Sequence, residues 1–508
     1  MFKPLIRASA LLSLSLAAPL AAQPAAPAIG EADLLRHIRI LASDDYQGRA
    51  PGTEGERRTT AYLVEQFRAR GLEPAGENGG WFQTFRLASR QPAQASLSWT
   101  GRSAGSLTAA EIVAVGREPR DSLRNAPVIF AAHGARMTDR GIDQLAGANV
   151  RGAIVLILNQ GPEVEGFPAL PERIRAVAAA GAAAVVVIVS DDTSLAELRT
   201  GLQRTRPRAD DGTTPRFTAF LQMAAAQRLI AGAGGDMERL LNEQPGSSFR
   251  PVTLSGRASI EATTTVSRVE TSNVIGRLRG TGAPGENVML LAHWDHLGLC
   301  APEGAPDRIC NGAVDNASGI AALIEIAGQL GRGNRPARDL IFLATTAEEV
   351  GLVGAGYFAD HPTVPLTSIL AAINMDTIAI APAGTPVAVM RSGVAGLDAL
   401  VTSTIAAAGR TLDPDDEAAA LVRRQDGWAL ARKGVPTLMV GGSFSNMQLL
   451  GRFLAGGRYH RFDDQVDDQL VLDGAAEDAN LTVALVRRLA DPAQYQRPQS
   501  SPVQRPAQ

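Results

Sequence analysis

Val288-Met289-Leu290-Leu291-Ala292-His293-Trp294-Asp295-His296-Leu297-Gly298 decides the fold. Five apolar residues in a row read as a buried strand, and the polar group directly after them marks where that strand stops. Two further segments repeat the arrangement. Leu340 to Thr345 runs into Thr346-Ala347-Glu348-Glu349, and Ile369 to Asn374 runs into Met375-Asp376. A fourth acid, Asp315, stands at the entry to a helix in Gly312-Ala313-Val314-Asp315-Asn316-Ala317-Ser318-Gly319. Strands that each end in an imidazole or a carboxylate are what a site at the carboxyl edge of an open parallel sheet requires.

Working outward, Val274 to Leu278 and Thr437 to Val440 read as further strands. Ala317 to Leu330, Leu352 to Phe358, Gly396 to Ala408 and Asp473 to Leu489 read as helices between them. This alternation predicts an α/β fold, a three-layer α/β/α sandwich on a mixed, mostly parallel sheet. Ahead of it, helices are predicted over Glu31 to Leu41 and Glu54 to Arg70, joined by the turn-rich loop Ser43 to Thr53. From about Ala93 the texture changes to short β-branched runs, Val128 to Ala132, Ala153 to Leu158 and Ala184 to Val189, with a small alanine-rich helix over Arg173 to Ala183. The division predicted is 1–22 leader, 23–92 first part of the catalytic body, 93–262 a β-rich insert, 263–492 the main catalytic body, and 493–508 a disordered Pro/Gln-rich tail. Gly280 to Gly285 matches a dinucleotide fingerprint in letters only, since a strand follows it instead of a helix; it reads as a hairpin turn.

The chain has 508 residues, 49 Lys+Arg against 52 Asp+Glu and a net charge of -3, with no basic run, which argues against a nucleic-acid partner. Met1 to Arg7 is positive, Ala8 to Leu20 is apolar but too short to span a bilayer, and Ala21-Ala22-Gln23 suits cleavage. That is a secretory signal, so the location expected is periplasmic or secreted, with no membrane span after cleavage. In an oxidising compartment Cys300 and Cys310 read as a disulfide.

Imidazole with several carboxylates is the ligand set of zinc or a similar ion. Two neighbouring ions need a shared carboxylate, separate ligands for each, and a base that binds neither. His293 and Asp376 can hold one, Glu349 and a distant histidine the other, with Asp315 between; Glu348 alternates in direction with Glu349 and can reach a water. Asp295 is placed to accept the second ring proton of His293. Of the six histidines, His37, His133 and His361 read as structural. His296 reads as a neighbour of the site whose ring points away from that of His293, because side chains diverge along an extended segment.

Taken together, His293-x-Asp295, Asp315 to Gly319, Glu348-Glu349, Asn374-Met375-Asp376 and Tyr459-His460 resemble, in order and spacing, the secreted two-zinc aminopeptidases and their glutamate carboxypeptidase relatives. The resemblance also covers the Ser43 to Gly52 loop and makes the middle block similar to a protease-associated insert. It implies two Zn2+ per chain on His293, Asp315, Glu349, Asp376 and His460, with Glu348 as general base, Asp295 supporting His293, Tyr459 contacting the oxyanion, and a cis peptide at Asp315-Asn316. The function it implies is an exported exopeptidase that removes N-terminal residues from peptides through a water between the two ions, activated by Glu348. Other activities open to such a chain are a carboxypeptidase or dipeptidase, a one-zinc glutaminyl cyclase, or a non-catalytic binding relative. One segment departs from the pattern: Arg424-Gln425-Asp426-Gly427-Trp428 stands where the family often has Ser-Asp-His.

Overall fold

A computed structural model describes residues 28–497, apart from 138–139, 165, 243–248, 283–284, 391 and 416. The predicted leader and the tail beyond 497 therefore lie outside the described residues. The strand stretch that opened the sequence reading sits in the middle of its sheet. Asn287–His293 runs parallel to Asp339–Thr345 on one side and to Ile369–Asn374 on the other, and Thr437–Gly441 continues the parallel set. Ala388–Met390 closes that edge antiparallel. Val252–Leu278 pairs antiparallel with Asp339–Thr345 on the opposite side.

Alternation along the central strand builds two cores. Val288, Leu290 and Ala292 face one, with the helices Glu31–Leu41, Ser318–Gly331, Ala395–Ala407 and Asp473–Leu489; Met289 and Leu291 face the other, with Phe358, Ala359 and Leu430 from the helices Val353–Asp360 and Gly427–Ala431. Helices thus cover both faces of a mixed, mostly parallel sheet, the three-layer arrangement predicted.

The middle block has cores of its own, built from Val128, Ile154, Val186 and Phe217 on one face and Ile129, Val155 and Val187 on the other. Its parallel strands Ile154–Leu158, Ala184–Val189 and Phe217–Gln222 nevertheless belong to the same sheet. Two long strands make the connection: Phe82–Thr100, of 19 residues, and Val252–Leu278, of 27 residues, which pair antiparallel almost throughout. The composition change near Ala93 and the end of the block near Ala262 both fall inside these strands. The Gly280 to Gly285 segment is not a hairpin turn, because the strands it joins are not neighbours; Asp339–Thr345 lies between them and pairs with both.

Candidate metal centre

Three strands of the parallel set, Asn287–His293, Asp339–Thr345 and Ile369–Asn374, end or lead into polar side chains at the carboxyl edge. His293 closes its strand, and its Nε2 lies 3.3 Å from Asp315 Oδ1 and 3.5 Å from Asp376 Oδ1. His460 arrives from the far end of the chain, with Nε2 at 2.8 Å from Glu349 Oε2 and 3.4 Å from Asp315 Oδ2. Asp315 thus turns one oxygen toward each histidine. The five residues picked out as ligands come together within one buried cluster.

His296 joins them. Its Nδ1 is 2.6 Å from Glu349 Oε1, and donor atoms of His296, Asp315 and Glu349 all lie within 4.8 Å of one another, as do those of His293, Asp315 and Asp376. The divergence expected of the two rings does not occur, because the strand stops at His293 and the residues after it are no longer extended in a pleat. Gly312 leaves room for the ring: a Cβ there would sit 2.7 Å from its Cδ2, and the φ of +57° suits glycine.

The donor set fits a divalent ion. With the Nδ1–H of His296 directed at Glu349, Nε2 of the same ring offers a lone pair and, like Nε2 of His460, is buried with no aligned hydrogen-bond partner. Three carboxylates share this space, and Arg49, buried behind the cluster, is their nearby fixed cation. Burial pulls its guanidinium down to about 10, against the opposing charges of Asp464, Asp315, Asp295 and Glu349. It donates to the carbonyls of Leu41, Trp294, Asn311 and Gly312, so it ties both ligand loops to the Ser43 to Thr53 loop. Glycine is needed beside it too. Gly48 has φ +64°, and a Cβ there would meet the carbonyl oxygen of Cys310 at 2.4 Å.

Behind the donors, other acids fix their backbone. Asp295 accepts the N–H of Glu348 at 3.1 Å and of Glu349 at 3.4 Å, while His293 Nδ1 faces the Asp295 carbonyl oxygen at 3.2 Å and its carboxylate at 3.8 Å. One residue therefore positions both strand ends. Asp464 does the same for the turn that carries Asp315, accepting the N–H groups of Val314 and Asp315 at 3.0 Å each. The Asp315-Asn316 peptide is cis. Cys300 and Cys310 are disulfide-bonded across the small hairpin between His293 and Asp315.

Burial sets the protonation of the acids. It raises Glu348 well above the ordinary carboxylate range, helped by the charges of Asp426, Asp376 and Glu349 and opposed by His293. Asp295 is pushed up to about 7 and Asp426 to about 6, again chiefly by burial. Asp426, in the segment that departs from the family pattern, accepts a hydrogen bond from Thr345 Oγ1 beneath His293. The Tyr459 ring stacks on His460 at 3.7 Å, and burial with the surrounding carboxylates raises its hydroxyl, which stays protonated.

His37, His133 and His361 stay outside the cluster. His37 bonds Tyr62 and Glu325, His133 packs edge-on against Phe167, and His361 faces Asp211 at 3.9 Å. The sequence reading gave no role to Arg49, Asp464 or Asp426. Asp464 alone carried a signal, as an acid four residues after His460.

Known proteins resemble this body in part. A probable zinc metalloprotease of Leptosphaeria maculans is 33% identical over 110 residues, 22% of this chain and 25% of that protein. A probable lipoprotein aminopeptidase, LpqL, of Mycobacterium tuberculosis is 32% identical over 126 residues, 25% of this chain and 23% of its own length. The matched part thus spans about a quarter of these relatives. An aminopeptidase from Aneurinibacillus sp. strain AM-1 superimposes on 93% of this chain and 97% of its own with a TM-score of 0.46 and 16% identity. The model of Peptidase family M28 matches residues 273–485, the stretch that holds His293, Asp315, Glu348, Glu349, Asp376 and His460. Residues 273–485 are a Peptidase family M28 domain.

Proposed function

We propose that the chain is an exported, zinc-dependent exopeptidase that holds two ions and removes the N-terminal residue of peptides. The observation that carries this reading is Asp315, placed between two sets of imidazole and carboxylate donors. In it, His293 and Asp376 would hold one ion, His460 and Glu349 the other, and Asp315 both. Zinc bound there would polarise the scissile carbonyl and lower the pKa of the attacking water. Glu348, which binds neither ion, takes the proton from that water and hands it to the leaving amine; its raised affinity for protons suits the transfer. The Tyr459 hydroxyl donates to the carbonyl oxygen as charge builds on it.

The mouth of the site offers room for an apolar side chain. Asp376 and Tyr459 border a small pocket of about 50 Å³ whose other walls include Met390, Met439, Phe444 and Leu450. One carboxylate, Asp376, and one cation, Arg424, stand in its lining, and the apolar wall takes a side chain of the substrate next to the metal centre. Export rests on the leader 1–22, and the block 93–262 is read as a protease-associated insert. No helix among the described residues is long and apolar enough to cross a membrane.

The test is a set of peptides offered to zinc-reconstituted protein, with free or acetylated N-termini. Release of apolar N-terminal residues from the free peptides alone, with two zinc ions bound per chain, is expected. Cleavage of the blocked peptides from the carboxyl end overturns the choice of terminus. One ion per chain with cyclisation of N-terminal glutamine would replace the hydrolase reading by that of a cyclase.

A further inference from the structure

Outside the metal cluster, a cavity lies where the middle block faces the helices Val353–Asp360 and Gly427–Ala431. It has a volume of about 780 Å³, enough for a ligand of several residues. One end lies beside the segment that carries Glu348 and Glu349: Gly351, Leu352 and Val353 line it, and Arg206, also in the lining, crosses from the middle block to donate to the Glu349 carbonyl oxygen at 3.1 Å.

Charge sets this cavity apart. Seven of its lining residues are cationic and two, Asp211 and Asp360, are acidic, in a chain whose net charge is -3. Three cations have carboxylate partners: Arg90 with Asp210, Arg432 with Glu172, Lys433 with Asp360. Four do not. Arg206 and Arg117 spend themselves on backbone carbonyls, and Arg117 keeps a buried Nε without a partner. The side chains of Arg175 and Arg208 make no hydrogen bond or ion pair among the described residues. The packing around Arg175, with the charges of Arg432 and Arg208, pulls its guanidinium below the usual range against the opposing charges of Glu172 and Asp360. Leu170, Ile174 and Tyr357 add apolar surface between the cations.

We propose that this cleft binds the acidic part of a peptide substrate, with side-chain carboxylates on Arg175 and Arg208 while the N-terminus occupies the metal centre. The inference rests on the peptidase reading and narrows it to peptides that carry Asp or Glu downstream of the cleaved bond. Guanidinium pairs suit carboxylates because each offers two parallel donors. Truncating both arginines to alanine breaks no side-chain hydrogen bond or ion pair among the described residues.

Two measurements on zinc-loaded protein test it. The first compares KM for Leu-Ala-Glu-Glu-Glu, Leu-Ala-Ala-Ala-Ala and leucine p-nitroanilide in the native chain, in R175A/R208A, and in R57A/R58A, which removes two exposed charges elsewhere. The acidic peptide should show a KM about tenfold below the neutral one, the size of one charge-assisted hydrogen bond. R175A/R208A should erase that difference and leave the anilide unchanged, while R57A/R58A keeps it. The second follows the anisotropy of an acetylated, fluorescein-labelled triglutamate, which reports binding whether or not anything is cleaved. Binding that R175A/R208A abolishes, with no hydrolysis of any peptide, would uphold the cleft and remove the peptidase reading. Equal KM for acidic and neutral peptides, or triglutamate binding that survives R175A/R208A, overturns the proposal.

Discussion

Glu348 and His293 are neighbours in space because Asp295 holds the backbone of one strand end and lies against the ring of the other. In the proposed mechanism Glu348 is a base that holds no ion. Glu348→Gln is therefore expected to keep the full zinc content while kcat falls by at least about a hundredfold, the scale of lost general-base catalysis; turnover together with metal analysis on one sample checks it. His296 acts differently, since its Nδ1 meets the Glu349 carboxylate. His296→Asn should weaken zinc affinity by about 10- to 100-fold, as the loss of a group bonded to a ligand does, with the melting temperature of the metal-free protein little changed; competition with a chromophoric chelator reads it out. The residues expected as ligands were legible because each follows an apolar run or sits in a short motif. The roles of Arg49 and Asp464 were not, since, Leu41 apart, the backbone groups they bond lie more than a hundred residues away, and pairing of that kind leaves little local pattern.

Among the elements, the helices Glu31–Leu41, Glu54–Ala69 and Ser318–Gly331 meet around one buried acid. Burial alone would raise the Glu325 carboxyl, but His37 at 2.7 Å and Arg70 at 2.6 Å bring it down to about 2. A pKa lowered on folding contributes stability above the unfolded value near 4.5, and that contribution is lost as the pH falls toward 2. Glu325→Gln should therefore cost about 2 kcal/mol at pH 7 and progressively less below pH 4.5. Parallel denaturation curves of both proteins at pH 7, 4 and 3 check the sign, and a gap that widened in acid would refute it. These helices were readable from their apolar spacing, and Ala184–Val189, Ile369–Asn374 and Asp473–Leu489 coincide with the predicted spans. The two long strands were not. Phe82–Thr100 and Val252–Leu278 carry Ser, Thr, Arg and Gln on an exposed face, so only the apolar end of the second, Val274 to Leu278, stood out as strand.

At the scale of the whole molecule, the candidate metal centre draws its proposed ligands from residue 293 to residue 460 and is backed by Arg49, so a bound ion would cross-link much of the chain. An ion bound to the folded state alone stabilises it by about 4 kcal/mol when it exceeds its Kd a thousandfold. Stripping zinc with a chelator should thus lower the melting midpoint by roughly 10 °C, and adding zinc back should restore it; calorimetry of both forms measures this. The separate cores of the middle block lie apart from that cluster, so the part of the transition that belongs to them should move less.

Those cores and the metal centre are nonetheless joined by something stiffer than a linker. Val252–Leu278 has a contour of roughly 85 Å and gives its first half to the middle block and its second half to the catalytic sheet, doubled along most of its length by Phe82–Thr100. The two walls of the arginine-lined cleft are therefore mounted on one beam. They cannot swing apart as domains on a flexible tether do; their separation changes only as the paired strands twist and bend. The width of the cleft is in that sense a spring constant, set by a ladder of backbone hydrogen bonds far from any residue that touches a peptide.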